Sequence, residues 1–301
     1  MSITTAFTCT STGTSENPIV AFTTPPNYAE RLSHLLTVNA YSPLWCPTLT
    51  IQPTPSSFAP YLSSHSLQPF SAIAFTSRTA IQAFHTAAAA LRIPPLSHSG
   101  HPFIVAALGK DTELIDAEFL SRICSNSERI RVLVPPTATP SSLAAALGPG
   151  GGRRVLCPVP LVVGLEEPPV VPAFLQELRD FGWAPARVEA YETRWAGPRC
   201  AEGIVKGSED EGIDAVVFTS SAEVEGLLKS LREFGLNFEE VRRRCPGLVV
   251  AAHGPVTAAG AERLGVKVDV QGVLWSQMNT IFQIFYEVDF ATQTEWDVTL
   301  K

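Results

Sequence analysis

The sequence predicts an α/β protein made of parallel sheets in two lobes, and three observations lead there. Short apolar runs stop at Thr, Ser, Gly or Pro and pass at once into a helical pattern, the mark of successive βα units. The phrases of the first half of the chain recur in the second half in the same order, which marks an internal repeat. The length of 301 residues, 45% hydrophobic and 17% charged, fills about two domains of roughly 150 residues each.

The elements follow in chain order. Residues 1–17, opening MSITTAFTCTSTGTSE, are Ser/Thr-rich without a basic residue and predict a disordered tail rather than a transit peptide. Pro18 to Phe22 reads as a strand that runs through Thr23-Thr24-Pro25-Pro26 into the periodic NYAERLSHLL. Ala72 to Phe75 runs through Thr76-Ser77-Arg78 into TAIQAFHTAAAAL, and a third strand from Ile104 reaches Gly109 at an expected helix start. IAFTSRTAIQAF at Ile73 matches VVFTSSAEVEGL at Val216, an offset of 143; VAALGKDT at Val105 matches VAAHGPVT at Val250, an offset of 145. A weaker pair joins VAFTTPP at Val20 to VLCPVPL at Val155. The stretches Gln52 to Pro69, GPGGGRR (Gly148 to Arg154) and KGSEDEG (Lys206 to Gly212) read as loops. GPGGGRR precedes a strand and lacks phosphate-loop spacing, so a surface loop is expected there.

Composition excludes several functions. A net charge of −7 argues against duplex nucleic-acid binding, which needs a basic face. No apolar run reaches the roughly 18 to 20 residues of a membrane span, and a soluble cytoplasmic protein is expected. Six cysteines, tens of residues apart and without a CxxC pair, read as reduced and mostly buried. Six histidines form no HExxH, and His98 with His101 reads as surface loop rather than metal site. Arg242-Arg243-Arg244 after Glu239-Glu240 reads as a solvated, self-paired helix face.

Two repeated elements carry candidate chemistry. Strands ending in Thr76-Ser77 and in Thr219-Ser220-Ser221 place hydroxyls at a helix mouth, where they cap the helix or, with free backbone N–H groups, receive an anion. In an open parallel sheet this is the edge where ligands bind. Arg78 adds a fork of donors suited to a carboxylate. The turns Gly109-Lys110-Asp111-Thr112 and Gly254-Pro255-Val256-Thr257 let backbone approach a ligand, with Lys110 beside one of them.

FTS before a helix, Gly-x-x-Thr at a strand exit, VEAYET (Val188 to Thr193), a second FTSS and HGPVTA (His253 to Ala258) together resemble the uroporphyrinogen-III synthase family. The resemblance spans roughly Pro18 to Phe285 and rests on five short matches in the right order. It implies two flavodoxin-like parallel-sheet lobes joined by a two-stranded connector, with the active site in the inter-lobe cleft. One lobe would be discontinuous, 18–51 plus 190–301, and the other, 52–189, inserted within it. The implied reaction cyclises hydroxymethylbilane, a linear tetrapyrrole with eight carboxylates, to uroporphyrinogen III with inversion of ring D and loss of water. The resemblance implies no metal or organic cofactor and a monomer. Tyr191 matches the tyrosine of the family's YxT segment, a candidate proton donor to the departing hydroxyl. Thr76, Ser77, Thr219, Ser220 and Ser221 match its cleft hydroxyls, Gly254 and Thr257 its glycine turn, with Thr112 equivalent in the inserted lobe. Two positions depart: Thr23-Thr24-Pro25 stands where many members have Thr-Arg-Pro, and His253 stands at a usually aliphatic position. A non-catalytic homologue binding an anionic small molecule is the alternative, and a nucleotide-binding enzyme is weaker because neither phosphate loop is present. Residues 52–188 hold 10 Lys/Arg against 9 Asp/Glu, a net +1, so the rest of the chain carries −8. A polyanion would therefore be held by local donors rather than drawn by net charge.

Overall fold

The computed structural model describes residues 17–210 and 212–272, and it groups them into two compact units. The expected N-terminal tail, apart from Asn17, and the segment beyond residue 272 lie outside the described residues. The first strand β1 (Ile19–Phe22) leads into helix α1 (Pro26–Val38) and strand β2 (Ser42–Trp45). The chain then builds β3 (Leu49–Pro53), β4 (Phe70–Phe75), α2 (Arg78–Ala89), β5 (Phe103–Ala107), α3 (Ala117–Ile123) and β6 (Ile130–Leu133). There follow α4 (Pro140–Leu147), β7 (Arg154–Val163), α5 (Val170–Asp180) and the long β8 (Ala184–Trp195). It closes with α6 (Glu202–Asp210), β9 (Ala215–Phe218), α7 (Ser221–Glu233), α8 (Phe238–Arg244), β10 (Val249–His253), α9 (Gly254–Arg263) and β11 (Val270–Gly272).

One unit holds a five-stranded sheet in the order β11-β10-β9-β1-β2, parallel throughout. The other holds six strands in the order β3-β8-β7-β4-β5-β6, parallel except for the antiparallel β3–β8 edge. Both are doubly wound arrangements with the strand order reversing at an inner strand. The ladders also confirm the internal repeat at single-residue resolution. Ala215 sits opposite Val20 and beside Val249. Its counterpart 143 positions earlier, Ala72, sits opposite Val155 and beside Ile104. These are the counterparts of Val20 and Val249 by the offsets read from the sequence. Apart from the β3 edge, the two sheets are thus the same parallel arrangement, begun at β1 in one and at β4 in the other.

Strand alternation explains the cores. In β4, Ile73 and Phe75 face one layer and Ala72 and Ala74 the opposite one, because side chains alternate across a sheet. The first layer collects Phe84, Phe103 and Phe119, with the Phe75 and Phe84 rings edge to face at 5.7 Å. The second collects Leu143, Phe174 and Trp183. A sheet covered on both faces needs apolar residues at nearly every strand position, and this is why its strands read as continuous runs. In the five-stranded unit, Val20, Phe22, Leu32 and Leu36 form the layer under α1.

Several segments expected as loops are structured. KGSEDEG largely completes α6, where Lys206 pairs with Glu202 one turn back at 2.9 Å and Ser208 is buried. The Pro/Ser stretch after β3 coils into a 3-10 turn, Pro55–Tyr61, that delivers Phe58 to the core. Hydrogen bonds of β3 with β8 draw residues 49–53 into the six-stranded sheet. The two compact units divide at 46/47 and 200/201. Residues 221–230 of α7 group with the same unit, held by Thr48 Oγ1 donating to Glu223 O at 3.0 Å and Trp195 Nε1 to Gly226 O at 3.0 Å. The arginine run differs from expectation too. Arg243 pairs within α8 with Glu240, but Arg242 reaches Asp269 at 2.8 Å and Arg244 reaches Glu209 at 2.7 Å.

GPGGGRR forms the turn between α4 and β7. Gly150 N donates to Phe181 O and Gly152 N to Gly182 O, both at 2.7 Å, and the Arg153 guanidinium lies over the Trp183 ring. A Cβ on Gly150 would stand 2.4 Å from Trp183 N. Main chain cannot yield as a side chain can, so Gly150→Ala is expected to destabilise by about 1–3 kcal/mol. Thermal unfolding checks this; an unchanged midpoint would contradict it.

Candidate active site

Parallel strands that share a sheet end at the same edge, and the helices that follow them begin there with unsatisfied N–H groups. In the six-stranded unit, β4 and β5 are neighbours, so the exits Thr76-Ser77-Arg78 and Gly109-Lys110-Asp111-Thr112 lie side by side. Ser77 is the N-cap of α2, its hydroxyl accepting from Ala80 N at 3.3 Å. Arg78 begins the helix, and its Nη1 lies 3.8 Å from Asp111 Oδ1. The helix expected to start at Gly109 is a 3-10 turn, Gly109–Leu114, and α3 starts only after Asp116, whose carboxylate accepts from Phe119 N at 2.8 Å. Thr112 folds back on this turn, donating through Oγ1 to Gly109 O at 2.6 Å. Gly109 has φ +45°, a left-handed conformation open to glycine. Lys110 is exposed beside it and Thr76 is half-buried. Burial raises the Asp111 carboxyl above the usual range, while the Arg78 charge and hydrogen bonding from the Arg78 main chain pull it down.

The five-stranded unit pairs β9 with β10 in the same way, so Thr219-Ser220 and Gly254-Pro255-Val256-Thr257 adjoin. Here the glycine turn opens directly into helix α9. Thr257 is 5% exposed and donates through Oγ1 to Thr219 O at 3.1 Å, tying the two exits together. Gly254 has φ +79° with open space where a Cβ would stand, so conformation rather than crowding selects glycine. Ser221 is the first residue of α7. His253 precedes Gly254, and burial lowers its pKa. The neighbouring exit of β1 carries Thr23 and Thr24, both fully buried; Thr23 Oγ1 reaches Val217 O at 3.4 Å, and Thr24 Oγ1 has no hydrogen-bond partner among the described residues.

Tyr191 lies on β8 in the six-stranded unit, between Pro53 of β3 and Pro160 of β7. Proline has no N–H to donate to a ladder, and the β7–β8 register shifts between Val159 and Pro160. The tyrosine is 9% exposed and belongs to the core that includes Phe58 and Val188. Among the described residues no group of three His, Cys, Asp or Glu could hold a metal ion.

Comparison with known proteins decides the family. The family model for uroporphyrinogen-III synthase HemD matches residues 30–272, most of the chain. The chain belongs to the uroporphyrinogen-III synthase family. A solved mutant uroporphyrinogen III synthase of the thermophilic bacterium Thermus thermophilus is 16% identical and shares the fold at a TM-score of 0.55, covering 90% of this chain and 99% of that one. Two further structures of the Thermus thermophilus synthase are each 18% identical over 84% of this chain, covering 91% and 92% of theirs, at TM-scores of 0.42 and 0.39. No curated protein matches the chain. Membership in the uroporphyrinogen-III synthase family places the chain in tetrapyrrole biosynthesis. No helix among the described residues is long and apolar enough to cross a membrane.

Three features went unnamed in the sequence. Asp111 stands in the quoted glycine turn, but its reach to Arg78 depends on β4 and β5 being adjacent. The orphan Thr24 hydroxyl was visible only as a departure from the family pattern. Thr139, which caps α4 by accepting from Ser142 N at 3.2 Å, sits at the β6 exit and follows the same strand-to-hydroxyl pattern.

A depressed histidine pKa has a signed consequence. The neutral form of His253 is favoured in the folded state, so its contribution to stability is full above the unfolded pKa near 6.5 and is lost as pH falls through the folded value. Thermal midpoints from pH 7.5 to pH 5 are expected to fall further for the native chain than for His253→Val. Equal slopes in the two proteins would contradict this.

Proposed function

We propose that the chain is a uroporphyrinogen-III synthase, cyclising hydroxymethylbilane to uroporphyrinogen III with ring D inverted and water lost, and acting as a cytoplasmic monomer. The family match over residues 30–272 carries this reading. The donor sets at the strand exits suit the substrate: eight carboxylates call for N–H, hydroxyl and guanidinium donors, and Ser77, Arg78, Thr219 and Ser220 stand where those donors concentrate. Lys110, exposed in its turn, adds a mobile cation to the same edge.

The chemistry asks little of cofactors. The terminal hydroxyl leaves with a proton, generating an electrophilic azafulvene. Ring D is then attacked at its substituted carbon instead of the nearer free one, and after rearrangement the macrocycle closes. Spontaneous closure gives isomer I, so the protein's contribution is to hold the folded chain in the one geometry that yields isomer III. Tyr191 is the proposed donor to the departing hydroxyl.

The missing arginine at Thr24 and the deep placement of Tyr191 motivate a second reading, a non-catalytic relative that binds an anionic small molecule. One experiment separates the two. Freshly prepared hydroxymethylbilane is incubated with the protein, oxidised, and the porphyrin isomers are separated. Isomer III in excess is expected; an isomer mixture equal to the protein-free control would leave only the binding reading. In the same assay Tyr191→Phe is expected to lower kcat about 10²-fold, the usual scale for loss of a general acid. Unchanged kcat would remove the tyrosine from the proton transfer.

A further inference from the structure

The two repeats offer an internal control. Their strand exits are identical at Thr76 and Thr219, Ser77 and Ser220, Gly109 and Gly254, and Thr112 and Thr257. They differ where charge is concerned. Arg78 corresponds to Ser221, and Asp111 corresponds to Val256, which is 56% exposed. Both members of the ion pair are present at the β4–β5 exits and both are replaced by neutral residues at the β9–β10 exits. The neighbouring charges Lys110 and Glu113 are neutral there too, as Pro255 and Ala258, so the second copy is the same edge without its charges.

The geometry gives the pair a purpose beyond holding the turns together. At 3.8 Å the contact is too long for a hydrogen bond, so Asp111 acts on Arg78 through charge while leaving the guanidinium donors unspent. Arg78 makes no side-chain hydrogen bond to another described residue. The two side chains keep 39% and 29% of their surface exposed, so the guanidinium is open to solvent at the sheet edge where ligands of such folds sit. An incoming carboxylate that takes the Arg78 fork therefore meets the Asp111 carboxylate beside it, with Glu113 adding to the same negative field.

We infer that Asp111 is a specificity-determining residue of the β4–β5 exits: its carboxylate engages Arg78 and weakens the hold of this edge on anionic ligands, which must displace it. The natural ligand being a polycarboxylate rests on the proposed function; the competition between Asp111 and an anion does not. The rise of the Asp111 carboxyl above its usual range agrees with a negative charge in an unfavourable place.

The probe is mellitate, a benzene ring bearing six carboxylates and unrelated to tetrapyrroles, titrated calorimetrically into the full chain at pH 7.5 and low salt. Asp111→Val and Arg78→Ser install the residues that the equivalent exit already carries, and Asp111→Asn serves should the valine variant not fold. Asp111→Val or Asp111→Asn is expected to lower Kd about two- to five-fold, the scale of a part-exposed ion pair. Arg78→Ser is expected to raise Kd, and removing Asp111 is expected to gain less in that background than in the native chain, because the guanidinium it competes for is gone while its contact with the main chain of residue 78 stays. A Kd unchanged or raised by both Asp111 variants, an equal gain with Arg78 already removed, or the absence of mellitate binding in every variant would overturn the inference. Should the calorimetric pattern hold while no isomer III forms from hydroxymethylbilane, the proposed function fails and this inference stands.

Discussion

Everything in this protein depends on the way a parallel sheet ends. Its strands all point the same way, so each β-to-α passage occurs at one edge, and each helix that follows begins there with N–H groups that have no carbonyl behind them. Because helices cover both sheet faces, the strands need apolar residues on both sides, and polar function is pushed to the edge. β4 and β9 show the consequence: each ends in a run of four buried apolar residues, followed by a threonine and a serine. Ser77 satisfies one orphan donor of α2, and the Asp111 carboxylate takes a hydrogen bond from the Arg78 main chain at the same helix mouth.

The duplicated sheet was legible because burial on both faces writes the same continuous phrase each time. FTS and the Gly-x-x-Thr turn stand in both copies: Ser77 caps its helix, Thr112 and Thr257 each donate to a carbonyl at the strand exits, and glycine accepts φ of +45° or +79° at little cost. The equivalence of β1 with β7 was faint in sequence, where only valine and a few neighbours agree, and became firm only when the ladders put Val20 against Ala215 and Val155 against Ala72. KGSEDEG misled because glycine and acidic residues suggest a turn, whereas Gly207 is there to let α6 pack against Ile213, whose side chain would lie 3.2 Å from an added Cβ. The candidate residues themselves could be named from sequence, but not their neighbours. Asp111 and Arg78 are 33 positions apart, and their meeting follows from strand order, which propensity and pattern do not determine.

Electrostatics narrows how such a site can work. With a net charge of −7, the protein offers an octacarboxylate no long-range attraction, so affinity has to come from short-range donors aimed by secondary structure. Helix N-termini and capped hydroxyls supply these without a surplus of basic residues. Arg78, the guanidinium at one of these exits, stands beside an acidic residue, Asp111. Under the proposed function, the competition inferred for Asp111 moderates the hold of this edge on a polyanion.

The central claim is that the paired strand exits are where this polycarboxylate is held. Hydrogen exchange followed by mass spectrometry, with and without uroporphyrinogen III, tests it most directly. Slower exchange is predicted in the peptides covering residues 76–80, 109–113, 219–223 and 253–257. Unchanged exchange in all four, with slowing confined to other segments, would contradict the account.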